Sequence, residues 1–174
     1  MCVVNGLPAG EDCEVHHLQN MLRFNAHNKV FVYREKGSSL QEAKGEKGDI
    51  KDINKDIKKA HLVYETVSSL KQSSDRAQSL LWVRPTTGRK HQIRVQLSHA
   101  GLPIVGDVRY GAPQIFKTPV RDIALHALAL QISHPVSKER MLFTAMVPSY
   151  WSERFCPATV RNTEKIAKLL QKEE

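Results

Sequence analysis

Between Arg76 and Arg94 the chain carries Arg76, Arg84, Arg89, Lys90 and Arg94 without a single acid. A one-sign stretch makes a field that attracts a polyanion, whereas interleaved charges make a solvated surface. From Glu35 to Lys59, by contrast, lysines and acids nearly cancel, so the location of the +8 formal charge matters more than its size. After Pro85 the hydrophobic period changes: Ile93, Leu97 and Ala100 fall at i, i+4 and i+7, one face of a helix over 89–100. Thr86 or Thr87 caps that helix in this reading, and Gly101 followed by Pro103 ends it. Thr87 and Gly88 then stand at its entry, where backbone N–H groups without intrahelical partners meet a phosphate. Arg89 and Lys90 at the same end would neutralise phosphates. His91 and Gln92 follow at the same end, either as contacts to such a polyanion or as packing and hydrogen-bonding residues.

Other residues with chemical potential carry weaker signals. The eight histidines, His16, His17, His27, His61, His91, His99, His126 and His134, show no metal-ligand spacing, so no metal is expected. His126 and His134 sit in strand-like surroundings and are read as structural. Cys2, Cys13 and Cys156 form no CxxC pair, which points away from a zinc knuckle or disulfide framework and towards a reducing compartment. Trp82, Tyr110 and Trp151 are the aromatic candidates for stacking on bases, but Trp82 lies in an alternating strand and is read as core.

The elements that must position these residues are strands with few helices. Met1–Val4 is short and apolar and runs into Asn-Gly-Leu-Pro, a strand followed by a turn. Residues 16–24 and 29–33 flank a polar turn and suggest a hairpin. The stretch 34–58 is charged and aperiodic and reads as a loop insertion. Strand character returns at His61–Val67 and Ser79–Pro85, joined through 71–78, and again at Ile123–Ser133 and Met141–Val147. The tail 158–174 opens as an amphipathic helix with Ile166, Leu169 and Leu170 on one face. This order predicts an α+β fold with a mixed, mainly antiparallel sheet and flanking helices. At 174 residues, 41% hydrophobic and 25% charged, the composition is that of one globular domain, and no apolar run reaches the roughly 20 residues of a membrane-spanning helix.

The segment Arg84-Pro-Thr-Thr-Gly-Arg-Lys-His-Gln-Ile-Arg-Val-Gln-Leu-Ser-His-Ala-Gly-Leu-Pro-Ile-Val-Gly-Asp-Val-Arg-Tyr-Gly resembles the TGRxHQIRVHLxxxGxPIxGDxxYG signature of the RluA-like RNA pseudouridine synthases, with Gln96 where a histidine is frequent. Lys59–Val67 is similar to the strand before that signature. Leu125–Pro135 and Phe143–Pro148 are similar to its LHAxxLxxxHP and FxAxxP elements. The resemblance implies a pseudouridine synthase catalytic-domain fold over residues 1–157, interrupted by the loop near 34–58. It implies isomerisation of uridine to pseudouridine in structured RNA, rRNA or tRNA, with no metal or small-molecule cofactor and no membrane. The reaction breaks the bond from ribose C1′ to N1 and remakes it at C5, on a base flipped out of the RNA, with an aspartate as nucleophile or base.

That aspartate belongs to an HRLD segment, which these 174 residues do not contain. The expectation is therefore a chain incomplete at its N-terminus, with the active-site tyrosine falling just before Met1. Such a chain would be inactive alone, of lower stability, and prone to association through an exposed sheet edge. Arg94 matches the arginine that holds the aspartate ionised and aimed, an opposite charge favouring the carboxylate. The RNA-binding set is then Thr87, Gly88, Arg89, Lys90, His91 and Gln92. Asp107 is read as a turn or cap residue rather than the nucleophile. The alternative is a noncatalytic RNA-binding protein on the same scaffold; either way the expected location is the cytoplasm, with an organelle left open.

Overall fold

A computed structural model describes residues 1–9, 15–24, 30–33, 57–70, 77–113, 122–149 and 151. Five strands, β1 (Cys2–Asn5), β2 (Val15–Phe24), β3 (Val30–Tyr33), β4 (Ile57–Leu70) and β5 (Gln78–Pro85), form one sheet in the order β1-β5-β4-β2-β3. A separate hairpin joins β6 (Ala129–Ser133) to β7 (Arg140–Thr144). Every ladder among the described residues is antiparallel, so the "mixed" part of the expectation gives way to a simpler pattern. The α+β class holds, with one α-helix among the described residues, α1 (Gln92–His99), on the sheet.

The long strand β4 pairs over most of its length with β2 on one side and β5 on the other, with a bulge between Thr66 and Ser68. Ile57 and Lys58 belong to this strand and not to a loop, because they pair with Arg23 and Leu22 of β2; the rest of the expected insertion, 34–56, lies outside the described residues. The tail helix expected at 158–174 also lies outside them.

Side-chain alternation distributes one short strand between two cores. Cys2 and Val4 pack with Leu62, Tyr64, Leu81, Leu97 and Ile104 beneath α1. Met1 and Val3 pack on the opposite face with Leu80, Leu128 and Trp151. A strand buried on both faces must be apolar throughout, which is why Met-Cys-Val-Val shows no alternation. A third cluster, Leu22, Val30, Ala60, Val95 and Tyr110, joins α1 to β2, β3 and β4 and sets the height of the helix start. Full burial stabilises each large apolar side chain by roughly 1.5–3 kcal/mol. Cys2 is a free, buried thiol pushed up to about 12 by desolvation and is unreactive near neutrality.

The outer edge of β1 was expected to be open. It is covered instead: Val3 N–H donates to Ala124 O, Val105 N–H to Val3 O, Asn5 N–H to Pro103 O and His126 N–H to Met1 O. The bridges Cys2 to Leu125 and Val4 to Ile104 continue the pairing. Residues 123–128, expected to open a long strand, are used in this edge contact, so β6 begins only at Ala129. At the other end of the chain's central motif, Gly101 (φ +80) closes α1. Its N–H donates to Ser98 O, and that of Leu102 reaches Leu97 O, the paired C-terminal bonds that favour glycine.

Candidate functional site

The loop from β5 into α1 is fastened by the side chain of Gln92, which is 3% exposed. Its Oε1 accepts from the Thr87 hydroxyl at 2.7 Å and the Arg89 N–H at 3.0 Å, while its Nε2 donates to His61 O at 2.9 Å. Thr87 Oγ1 also accepts from His61 N–H at 3.0 Å, and Thr86 N–H donates to His61 O. Thr86 and Thr87 therefore bind β4 and do not cap the helix. The residue before α1 is His91, in the left-handed region (φ 54, ψ 21) with no side-chain cap, so the helix starts three residues later than its apolar period suggests. Beside the entry at Thr87 and Gly88, where free backbone N–H groups were expected, the Arg89 N–H donates to Gln92 Oε1. What remains outward is the exposed run Gly88, Arg89 and Lys90, with Arg89 Nε donating to Lys59 O at 3.1 Å. Next to it His17 stacks on His61, ring centroids 5.5 Å apart, on the open face of β2 and β4.

One turn into the helix, Arg94 meets Asp107. Nε donates to Oδ2 and Nη2 to Oδ1, each at 2.7 Å, a bidentate pair in which the carboxylate is 1% and the arginine side chain 17% exposed. The hydrogen bond to Asp107 is the largest influence raising the Arg94 pKa above its ordinary value, so the cation is permanent. Asp107 precedes the 3-10 turn Val108–Tyr110 but makes no side-chain cap there, because both oxygens are committed to Arg94. Its expected role as a cap is corrected accordingly. The guanidinium lies 4.8 Å from the centre of the buried Tyr110 ring, in cation–π contact.

Tyr110 links this pair to the rest of the site. Its hydroxyl oxygen accepts from Val30 N–H at 3.4 Å and lies 2.8 Å from His91 Nδ1, while Ser98 Oγ donates to its carbonyl. A hydroxyl hydrogen directed at Nδ1 would correspond to a neutral His91 with its proton on Nε2. Burial first, then Arg94, Arg109 and Lys90, lowers the His91 pKa, in keeping with that neutral form. Gln96, at the position where the signature often has histidine, is 1% exposed and donates to Leu18 O and Asn20 Oδ1, tying α1 to β2.

Of the six residues expected to meet RNA, Gly88, Arg89 and Lys90 face outward and His91 is half-buried, whereas Thr87 and Gln92 turn their polar atoms inward. Arg84, part of the basic run, is half-buried on β5. Trp82 packs in the core as expected; Tyr110 and Trp151 are buried too, and Trp151 meets His126 edge-on at 6.2 Å. His134 accepts Ser137 N–H in the β6–β7 turn, a structural role. Sequence reasoning missed Asp107 as the partner of Arg94 and Tyr110 as its platform. One signal was present: Asp107 is the lone acid between Asp75 and Asp122.

The sequence profile of the RNA pseudouridylate synthase family matches residues 14–99, from β2 to the end of α1. The dual-specificity RNA pseudouridine synthase RluA of Haemophilus influenzae is 38% identical over 88 residues, 51% of this chain and 38% of that protein. RNA pseudouridine synthase 1 of rice, Oryza sativa, is 36% identical over 96 residues, 53% of this chain and 28% of that protein. These matches support the RluA-like family. Ribosomal large subunit pseudouridine synthase C of Rickettsia felis matches 68% of the chain at 31% identity, over 37% of its own length. The chain thus spans well under half of these curated relatives. The fold agrees: the human RNA pseudouridylate synthase domain containing 1 superposes with a TM-score of 0.58 at 21% identity, over 85% of this chain and 54% of that one. The human domain-containing 4 protein gives 0.56 at 20%, over 86% and 57%.

Proposed function

We propose that this chain carries the RNA-docking and arginine-bearing portion of an RNA pseudouridine synthase site, acting on structured RNA such as rRNA or tRNA. The single observation that carries the reading is the Arg94 corner. A permanently charged guanidinium, fixed one turn into α1 by a buried carboxylate and a tyrosine ring, stands directly after the outward Gly88-Arg89-Lys90 run. The profile match to the family ends on this helix. In the mechanism proposed, Arg89 and Lys90 engage phosphates, and the neutral His91 offers its Nε2–H to the flipped nucleotide or its backbone. Arg94 stabilises the carboxylate that attacks the uridine or removes its proton. No group of three or more potential metal ligands occurs among the described residues.

The 174 residues contain no HRLD segment, so the polypeptide by itself is proposed to bind RNA without isomerising it. Tritium release from RNA labelled at uridine C5 measures the chemistry, and fluorescence anisotropy measures binding. The expected pair of results is background release with salt-sensitive binding, log affinity falling by about 0.7–0.9 per phosphate contact for each unit of log salt. Replacing Arg89 and Lys90 by alanine should flatten that slope by about one to two contacts. Release above background that vanishes on Asp107→Asn would replace this reading with one in which Asp107 itself is the nucleophile. A noncatalytic RNA-binding protein is the second reading, favoured by the same missing segment. The mass and sequence of the product from the native source, with or without HRLD, separates the two.

A further inference from the structure

We propose that Asp107 is a positioning residue: its buried carboxylate grips Arg94 side-on, through Nε and Nη2, so that the Nη1 side of the guanidinium is held ready for a second oxyanion. A guanidinium has five N–H donors in a rigid plane, and the grip uses two of them. Nη1 and the remaining Nη2 hydrogen have no partner among the described residues. The plane cannot swing to meet an incoming ligand, because Tyr110 lies against its face and is itself fixed by Val30 N–H, His91 and Ser98. Asp107 in turn has no freedom. Gly106 (φ +81) before it has the Asp122 carbonyl where a Cβ would stand, and the Asp107 N–H and C=O are bound to Ile104 and to Tyr110 and Ala112.

A buried ion pair adds little net stability over an apolar pair of the same shape, so its presence is weak evidence for a purely structural role. As a device for holding a cation at fixed orientation it has a clear use. The ligand class, an oxyanion supplied by an RNA phosphodiester or by a carboxylate, rests on the RNA reading above; the grip does not.

The two roles open to Asp107 predict opposite signs. If it merely neutralises Arg94, Asp107→Asn makes the site more positive and oxyanions bind tighter. If it positions Arg94, the same variant frees the guanidinium and they bind more weakly, by about 3- to 10-fold. The test is ¹⁵N NMR of the arginine side chains in the full 174-residue chain, titrated separately with inorganic phosphate, acetate and a structured RNA. Expected are a sharp, slowly exchanging Arg94 Nε–H and saturable shifts at Arg94 that weaken in Asp107→Asn. Arg94→Lys, which keeps a cation beside Asp107, should lose the binding as fully as Arg94→Ala, since a point charge cannot serve two anions in one plane. In RNA binding, Asp107→Asn combined with Arg94→Ala should be no weaker than Arg94→Ala alone.

Unmoved Arg94 signals in the unmodified chain, with all three ligands, overturn the proposal without reliance on any variant's folding. Equal or tighter binding by Asp107→Asn overturns it as well. If phosphate or acetate shifts Arg94 but RNA does not bind, the RNA reading fails and the grip stands. If RNA binds with Arg94 silent to every ligand, the reverse holds. Stronger response to phosphate assigns the second oxyanion to the RNA backbone, and stronger response to acetate assigns it to a carboxylate.

Discussion

The helix entrance and the β6–β7 hairpin are both short, local in sequence and rich in signature residues, yet they are held by different physics. At the entrance, polar side chains are buried and reach across long sequence separations: Gln92 to His61, Gln96 to Leu18 and Asn20, Tyr110 to Val30. In the hairpin the backbone ladder is complete but the apolar side chains face out, with Leu130 60% and Phe143 49% exposed. Met146 just beyond it is 87% exposed. The hairpin meets the body at its base, where Leu128, with Ala129 and Val147 beside it, packs against Met1, Val3, Leu80 and Trp151; there the Ala145 N–H donates to Leu128 O and continues the ladder. Buried hydrogen bonds fix a geometry because leaving any one unmade is expensive, whereas exposed apolar contacts fix little. Of these two regions, the one around Arg94 is therefore the more tightly fixed.

That contrast can be broken most severely at Gly106. Alanine there needs a left-handed backbone and places its Cβ on the Asp122 carbonyl, next to the carboxylate that grips Arg94. We expect Gly106→Ala to destabilise the chain by about 3 kcal/mol or more, read as a drop in the urea midpoint. Gln92→Ala is next. It removes three hydrogen bonds from a buried site and leaves His61 O and Arg89 N–H with lost partners, for an expected loss of about 2 kcal/mol in the same assay. The result would sharpen the comparison, since Gln92 carries no charge and its effect reports on the buried network alone.

His91→Asn keeps a residue that tolerates the left-handed conformation and removes the titrating ring. Because folding lowers the His91 pKa below 6.5, the unfolded chain binds the proton more readily. Its contribution to stability is full above pH 6.5 and is lost as pH falls from there through the folded pKa. Urea unfolding across about pH 5 to 8 should therefore show a shallower loss towards acid in His91→Asn than in the unmodified chain, by under about 1 kcal/mol. The smallest effect belongs to the hairpin: Leu130→Ser with Phe143→Ser should change stability by under about 0.5 kcal/mol per site, as for exposed positions away from special features. A loss of 2 kcal/mol there would mean that the exposed side chains are packed in solution, and the contrast between the regions would fall.

The sequence alone located the strands, though not all of their ends, and the basic entrance. Residues 16–24 and 29–33 announce themselves as a hairpin, realised as β2 and β3, because strand residues and turn residues are local signals. Gly101 marks the end of α1 because a left-handed terminus selects for glycine locally as well. The signature around Arg84–Gly111 pointed to the fold and to Arg94 before any geometry was known. What tertiary structure decided were the partners. Thr87 and Gln92 look like surface groups at a helix start until β4 presents His61 to them. The covered edge of β1 depends on residues a hundred positions away, and no local pattern reports that. Asp107 reads as a turn residue in sequence, thirteen positions from an arginine on another element. Only the packing of α1 over the 3-10 turn brings the two charges into a dry contact, where a carboxylate must pair with a cation to be buried at all.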